Sequence, residues 1–109
     1  MTLGASSGFE VVTLGTLASA GATGAQQSTG IHTTFQVTVT GIGTNVVMRF
    51  EGSLDGVGYF NLAPGAIDYT ITANGVYGYV LYAPVQYVRA SLVSASGGTP
   101  SVTILAGTI

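Results

Sequence analysis

The segment Ile31-His32-Thr33-Thr34-Phe35-Gln36-Val37-Thr38-Val39-Thr40 sets apolar Ile31, Phe35, Val37 and Val39 against polar His32, Thr34, Gln36, Thr38 and Thr40. Successive strand residues point to opposite sides of a sheet, so a period of two describes a β-strand with one buried face. Gly41-Ile42-Gly43-Thr44-Asn45 is then expected to turn the chain. The alternation resumes beyond it, with Val46, Met48 and Phe50 toward a core and Val47, Arg49 and Glu51 outward.

Further along, Ser53-Leu54-Asp55-Gly56 is the strongest turn signal: Asp55 supplies a side-chain acceptor and Gly56 tolerates a positive φ. A short strand over residues 59–62 returns from it. Ala63-Pro64-Gly65 gives a second turn, a strand over residues 68–73 follows, and Asn74-Gly75 makes a third turn, of the kind that suits a tight hairpin. Residues 76–82 place Tyr77, Tyr79 and Leu81 on one face and Val76, Val80 and Tyr82 on the other. Apolar on both faces, this strand is expected to be central or covered by a partner. Residues 86–94 bury Val88, Ala90 and Leu92, Ser96-Gly97-Gly98-Thr99-Pro100 closes a hairpin, and residues 101–106 form a last strand. With residues 9–17 the total is about eight short strands, and helix signals are nearly absent. The expected fold class is all-β: one domain over 1–109, a single antiparallel β-sandwich of jelly-roll type. Residues 1–8 and 18–30 read as flexible, low-complexity segments that order on assembly.

Composition restricts function. Only 6% of the 109 residues are charged, Arg49 and Arg89 against Glu10, Glu51, Asp55 and Asp68, while 47% are hydrophobic. Two arginines in a chain of net charge −2 cannot make the basic footprint that nucleic acid requires. With no cysteine, disulfide scaffolds and thiolate metal sites are excluded. An apolar, charge-poor chain is not intrinsically disordered. The longest apolar run, residues 76–88, is interrupted by Gly78 and Pro84 and too short to span a bilayer as a helix, and residues 1–4 do not read as a secretory signal. A folded chain of this mass exposes roughly 5,600 Å². Six charges there amount to about one per 900 Å², far sparser than a self-sufficient soluble surface. Two readings of that deficit compete: a Ser/Thr/Gly/Asn surface that stays soluble without charge, and cover by other protein chains, whose interface cores are depleted in charge; the second is the expectation.

No catalytic constellation stands out. His32 is the one base of suitable pKa and lies on an outward strand position, without a nucleophile and orienting group in any recognisable pattern. One histidine and four scattered carboxylates do not make a zinc site; Glu51 and Asp55 flank one turn and form at most a calcium contact. The expectation is a non-enzymatic chain with no cofactor and no metal. Tyr77, Tyr79, Leu81 and Arg89 are the candidate partner contacts, since tyrosine and arginine favour interfaces. Asp55, Gly56, Asn74 and Gly75 are the candidate structural turn residues.

Arg49-Phe50-Glu51-Gly52-Ser53-Leu54-Asp55-Gly56 followed by Tyr59-Phe60-Asn61-Leu62, with Thr70 to Tyr77, Tyr87-Val88-Arg89 and Ser96-Gly97-Gly98-Thr99, resembles small β-sandwich structural proteins of tailed bacteriophages. The resemblance spans roughly residues 35–106. It implies a virion component, a decoration (cement) protein on the capsid surface that binds the major capsid protein and itself, as a homo-oligomer such as a trimer. Tail, baseplate or fibre components share the pattern. The same hairpin and the Tyr-Val-Arg strand also resemble discoidin-like carbohydrate-binding jelly rolls, which implies a glycan held by exposed tyrosines with Asn61 or Asp55. This chain is shorter than those modules and carries Tyr59-Phe60 where they have tryptophan.

Overall fold

The computed structural model describes residues 10–19, 21, 23, 27–28, 32–83 and 85–108. They form strands β1 (Glu10–Leu17), β2 (Gln27–Ser28), β3 (His32–Ser53), β4 (Phe60–Asn61), β5 (Tyr69–Ile71), β6 (Gly75–Ala83) and β7 (Tyr87–Thr108), with a 3-10 turn at Pro64–Ala66. All seven strands hydrogen-bond into a single sheet, and every pairing is antiparallel.

The backbone of this sheet is a two-stranded ribbon. β3 and β7 are 22 residues each and pair from His32 opposite Thr108 to Ser53 opposite Tyr87. The turns expected at residues 41–45 and 96–100 are therefore not chain reversals. Both lie inside these strands and face each other, with Thr40 opposite Ser101, Ile42 opposite Gly98 and Asn45 opposite Ser96, and the register shifts there in bulges. Glycine explains why the ladder bends without breaking. Gly41 and Gly98 have φ of 67° each, and a Cβ on Gly98 would sit 2.5 Å from the Gly43 nitrogen and 2.6 Å from the Gly41 carbonyl oxygen. Without side chains at these points, the two strands bend together.

The bend is severe. Fifteen residues of straight strand would set Phe35 and Phe50 about 50 Å apart, yet their ring centroids lie 4.9 Å from each other. The ribbon doubles back, and the sheet curls into a half-barrel around one core. In place of the eight short strands of a jelly-roll sandwich, one continuous sheet closes over its own concave side. The inward residues are those that the period of two selects: Phe35, Val37 and Val39 before the bulge and Val46, Met48 and Phe50 after it, all fully buried. Val88, Ala90 and Leu92 face them from β7. Phe50 lies 5.4 Å from Tyr79 and 5.9 Å from Tyr69, and the two tyrosine rings are 4.4 Å apart.

Shorter strands line both edges of the ribbon. Along β3, β6 pairs with residues 32–39 and β5 with Val46–Met48. Asn74-Gly75 is consequently not the expected hairpin, because β5 and β6 follow one another along the same edge of β3. The link between them spans the bulge, and Asn74 Oδ1 accepts a 2.9 Å hydrogen bond from the Ile42 amide that the bulge releases from the ladder. The Asp55-Gly56 segment does join antiparallel neighbours, with Glu51 opposite Asn61 and Gly52 opposite Phe60. Along β7, β1 covers residues 102–108. The described residues of the 18–30 segment run along its other half: the Gly21 amide donates to the Leu92 carbonyl at 2.7 Å, Thr23 bridges Ser91, and Gln27 pairs with Val88. Residues 1–8 lie outside the described residues, as does the remainder of 18–30.

Placing a methyl group at the bend should be costly. Gly98→Ala is expected to destabilise the fold by about 1–3 kcal/mol through strain and backbone collision. Gly78→Ala, at a position where a Cβ meets nothing within 4 Å, should stay within about 0.5 kcal/mol of the parent protein or stabilise it slightly. Urea unfolding of both variants is the measurement; equal midpoints would refute this account of the bend.

Candidate functional site: a sheet face without charge

On the convex side of the first half of the ribbon, four strands lie in the order β1-β7-β3-β6, and their outward residues fall into rows. Val11, Gly107, Thr34 and Val80 form one row; Thr13, Leu105, Gln36 and Gly78 the next; Thr16, Thr103, Thr38 and Val76 the third. None of these twelve is charged. Threonine predominates because a β-branched hydroxyl residue suits a pleated surface and satisfies itself locally, as where the Thr16 and Thr103 hydroxyls lie 3.1 Å apart. Val76 and Val80 are 65% and 78% exposed. A shallow depression of about 220 Å³ is lined by Val11, Thr34, Gln36, Leu105, Ala106 and Gly107.

Five of the six charged residues, all but Glu10 on β1, lie around the other half. Arg49 Nε and Nη2 donate to Asp68 Oδ1 and Oδ2 at 2.8 and 2.9 Å, a bidentate pair. Arg89 Nε donates to Glu51 Oε1 at 2.9 Å, and its guanidinium lies 3.7 Å from the Tyr59 ring centroid. Asp55 Oδ1 accepts from the Ser53 hydroxyl and from the Val57 and Gly58 amides, each at 2.9 Å. These bonds fix the loop that holds Leu54 and Val57 out in solvent, the latter 85% exposed. They also hold the Asp55 carboxyl below its ordinary pKa. The Arg49 hydrogen bonds do the same for Asp68, aided by Asn61.

The candidate partner contacts are thus placed differently from the expectation. Leu81 is buried in the core, Tyr77 and Tyr79 are half-buried on the concave side, and Arg89 is engaged with Glu51 and Tyr59. Burial pushes the Tyr79 phenol above its usual pKa. The strand that carries Tyr77, Tyr79 and Leu81 is an edge strand among the described residues and not a central one. Its solvent face belongs to Val76 and Val80. A sharply curled sheet needs large rings to fill its concave side, which is where these tyrosines lie. Thr34, Gln36, Thr38, Thr103 and Leu105 carry no charge at outward positions, a pattern that no single strand singles out.

The carboxylates and the amide singled out for calcium or a glycan each make internal hydrogen bonds. Glu51 receives Arg89 and the Ser91 hydroxyl, and Asp55 faces hydrogen-bond donors. Asn61 donates to the Ile67 carbonyl and to Asp68 and accepts from the Ala63 amide. No cluster of three or more metal-ligating side chains occurs among the described residues, nor any helix long and apolar enough to cross a membrane.

No family model matches the chain, and no curated protein matches its sequence. Among solved structures, the crystal structure of the SPBc2 prophage-derived protein YomS is similar. It superposes with a TM-score of 0.56 at 15% identity, over 92% of this chain and 93% of that one. The likeness is one of fold.

Both aspartates contribute stability of one sign. Their folded pKa values lie below the ordinary 3.8, so the contribution is present above that value and lost as pH falls through the folded values. The melting temperature should be level from about pH 8 to 5 and drop below about pH 4. Asp55→Asn and Asp68→Asn should each flatten that drop. Thermal unfolding followed across pH 2–8 checks this.

Proposed function

We propose that this chain is a structural protein of a tailed-phage particle, a decoration protein that seats its convex, charge-free face on the major capsid protein. The observation that carries the reading is the segregation just described: three rows of uncharged residues cover one half of the sheet, with valines exposed, while the described ion pairs lie on the other half. A surface of threonine, valine and glycine docks without the desolvation cost that unpaired charges impose. Sharing a fold with a prophage-derived protein over nearly the whole length of both chains supports a phage origin. A decoration protein needs a rigid shape and a broad docking surface, and the curled sheet with its charge-free face supports that reading.

Binding here is repetition. A face of four strands at about 4.8 Å spacing and seven residues long offers roughly 450 Å², about half of what one partner contributes to a standard interface. Weak single contacts suffice on a lattice if each copy touches more than one neighbour.

The test is to band particles from the native source on a density gradient and quantify the chain by mass spectrometry in each fraction. Hundreds of copies per particle, tracking the capsid peak, are expected. A handful per particle would assign the chain to the tail, and a chain confined to the soluble fractions would overturn the virion reading. On purified particles, Val80→Asp, which charges an exposed position of this face, should lower occupancy roughly tenfold while leaving the melting temperature within a few degrees.

A further inference from the structure

No strand among the described residues pairs with one edge of β6. Among the described residues its only strand partner is β3, and the two pair one for one from Gly75 to Val80 with no register shift. The outer edge is therefore regular over that stretch and presents a row of main-chain donors and acceptors. Natural sheets blunt such edges with lysine, proline, bulges or inward charges. Residues 75–80 contain none of these. The edge also reads identically in both directions: Val76-Tyr77-Gly78-Tyr79-Val80.

We infer that β6 is a two-fold dimerisation strand, pairing antiparallel with β6 of a second copy about an axis at Gly78. A closed two-fold interface must be self-complementary, since one patch meets itself reversed. The palindrome meets that condition in sequence. With Gly78 opposite Gly78 of the second copy, Val76 stands opposite Val80 and Tyr77 opposite Tyr79, twice over. Val76, Gly78 and Val80 share the convex face and Tyr77 and Tyr79 the concave one, so each pair forms between residues of like environment. β-Branched residues directly opposite across a ladder stabilise it. No charge lies on the strand to repel its copy. Affinity comes from main-chain hydrogen bonds, as in other strand additions. At Gly78 itself, where a Cβ would have open space, the two backbones meet with no side chain between them.

Dimerisation also changes the docking surface. The order β1-β7-β3-β6 continues into β6-β3-β7-β1 of the second copy, so two charge-free faces of roughly 450 Å² become one of about 900 Å². That matches the roughly 800 Å² which one partner brings to a standard interface. What this doubled face docks on rests on the proposed function; the dimer does not.

The decisive experiment is sedimentation equilibrium of the purified full chain over a range of concentrations at low salt, with two double variants at the same exposed positions. In Val76→Lys/Val80→Lys, the proposed register sets lysine against lysine in both pairs; in Val76→Lys/Val80→Glu, it sets lysine against glutamate in both. The parent chain should be a dimer or an even multiple of it. The first variant should dissociate roughly tenfold more readily, and the second should return to within about threefold of the parent. Circular dichroism of both variants establishes that they fold. A monomeric parent, an odd-numbered oligomer such as a trimer, or variants that behave alike would overturn the inference. A monomer that still tracks the particle in the gradient would overturn the dimer alone, and a dimer absent from particles the proposed function alone.

Discussion

Everything in this molecule depends on one close approach of two backbones. A 22-residue ribbon of two strands is too long to bury a face against anything but itself, and it can do so only by doubling back near its middle. At that point the chains around Gly41 and Gly98 come so near that a single methyl group has no room. Because both strands bulge together, the ladder continues on either side, and Phe35 can meet Phe50 from the same strand. Asn74 completes the bend by supplying an acceptor to the amide that the bulge releases. The half-barrel, its core and the division of its surface into two halves follow from that bend.

Those halves differ in kind. On one, Arg49 with Asp68 and Arg89 with Glu51 knit strands and loops together at modest energetic gain, since partly exposed ion pairs contribute on the order of 0.2–1 kcal/mol. Their value lies in fixing the β3–β4 hairpin and the segment after it. On the convex face of the other, threonine, valine and glycine leave the surface electrically silent. Contact through such a face is not steered by long-range fields and depends little on ionic strength. A shell-coating role suits that property, because particles meet media of widely different salt content.

Local pattern carried much of the fold. The alternation in residues 34–40 and 46–50 selects the inward side chains, and the same holds for Val88, Ala90 and Leu92. The Asp55-Gly56 turn is legible because its chemistry is local, a carboxylate collecting amides two and three residues on. What could not be read from one stretch was whether the glycine-rich segments at 41–45 and 96–100 reverse the chain or bend it. That depends on each lying opposite the other, a relation between residues more than fifty positions apart. Asn74-Gly75 misled for a similar reason: its hairpin chemistry is outweighed by the demand of the β3 bulge for a hydrogen-bond acceptor. For the site, residue preference was the weak guide. Tyr77, Tyr79 and Leu81 belong to a concave core that no single strand reveals, and the charge missing from many outward positions at once shows only when the strands are set side by side.

The pairing of β3 with β7 also has a kinetic side. Its contacts join residues from 34 to 76 positions apart, from Ser53 with Tyr87 out to His32 with Thr108, and such non-local ladders form slowly because loop closure precedes any reward. During synthesis β3 emerges well before β7, with its apolar face and both hydrogen-bonding edges open and Arg49 and Glu51 as the charges along it. Such a segment is prone to pair with its own copies on neighbouring ribosomes. The chain must survive that interval, and the glycines that permit the bend also serve here, since they interrupt the regular strand that aggregation would need.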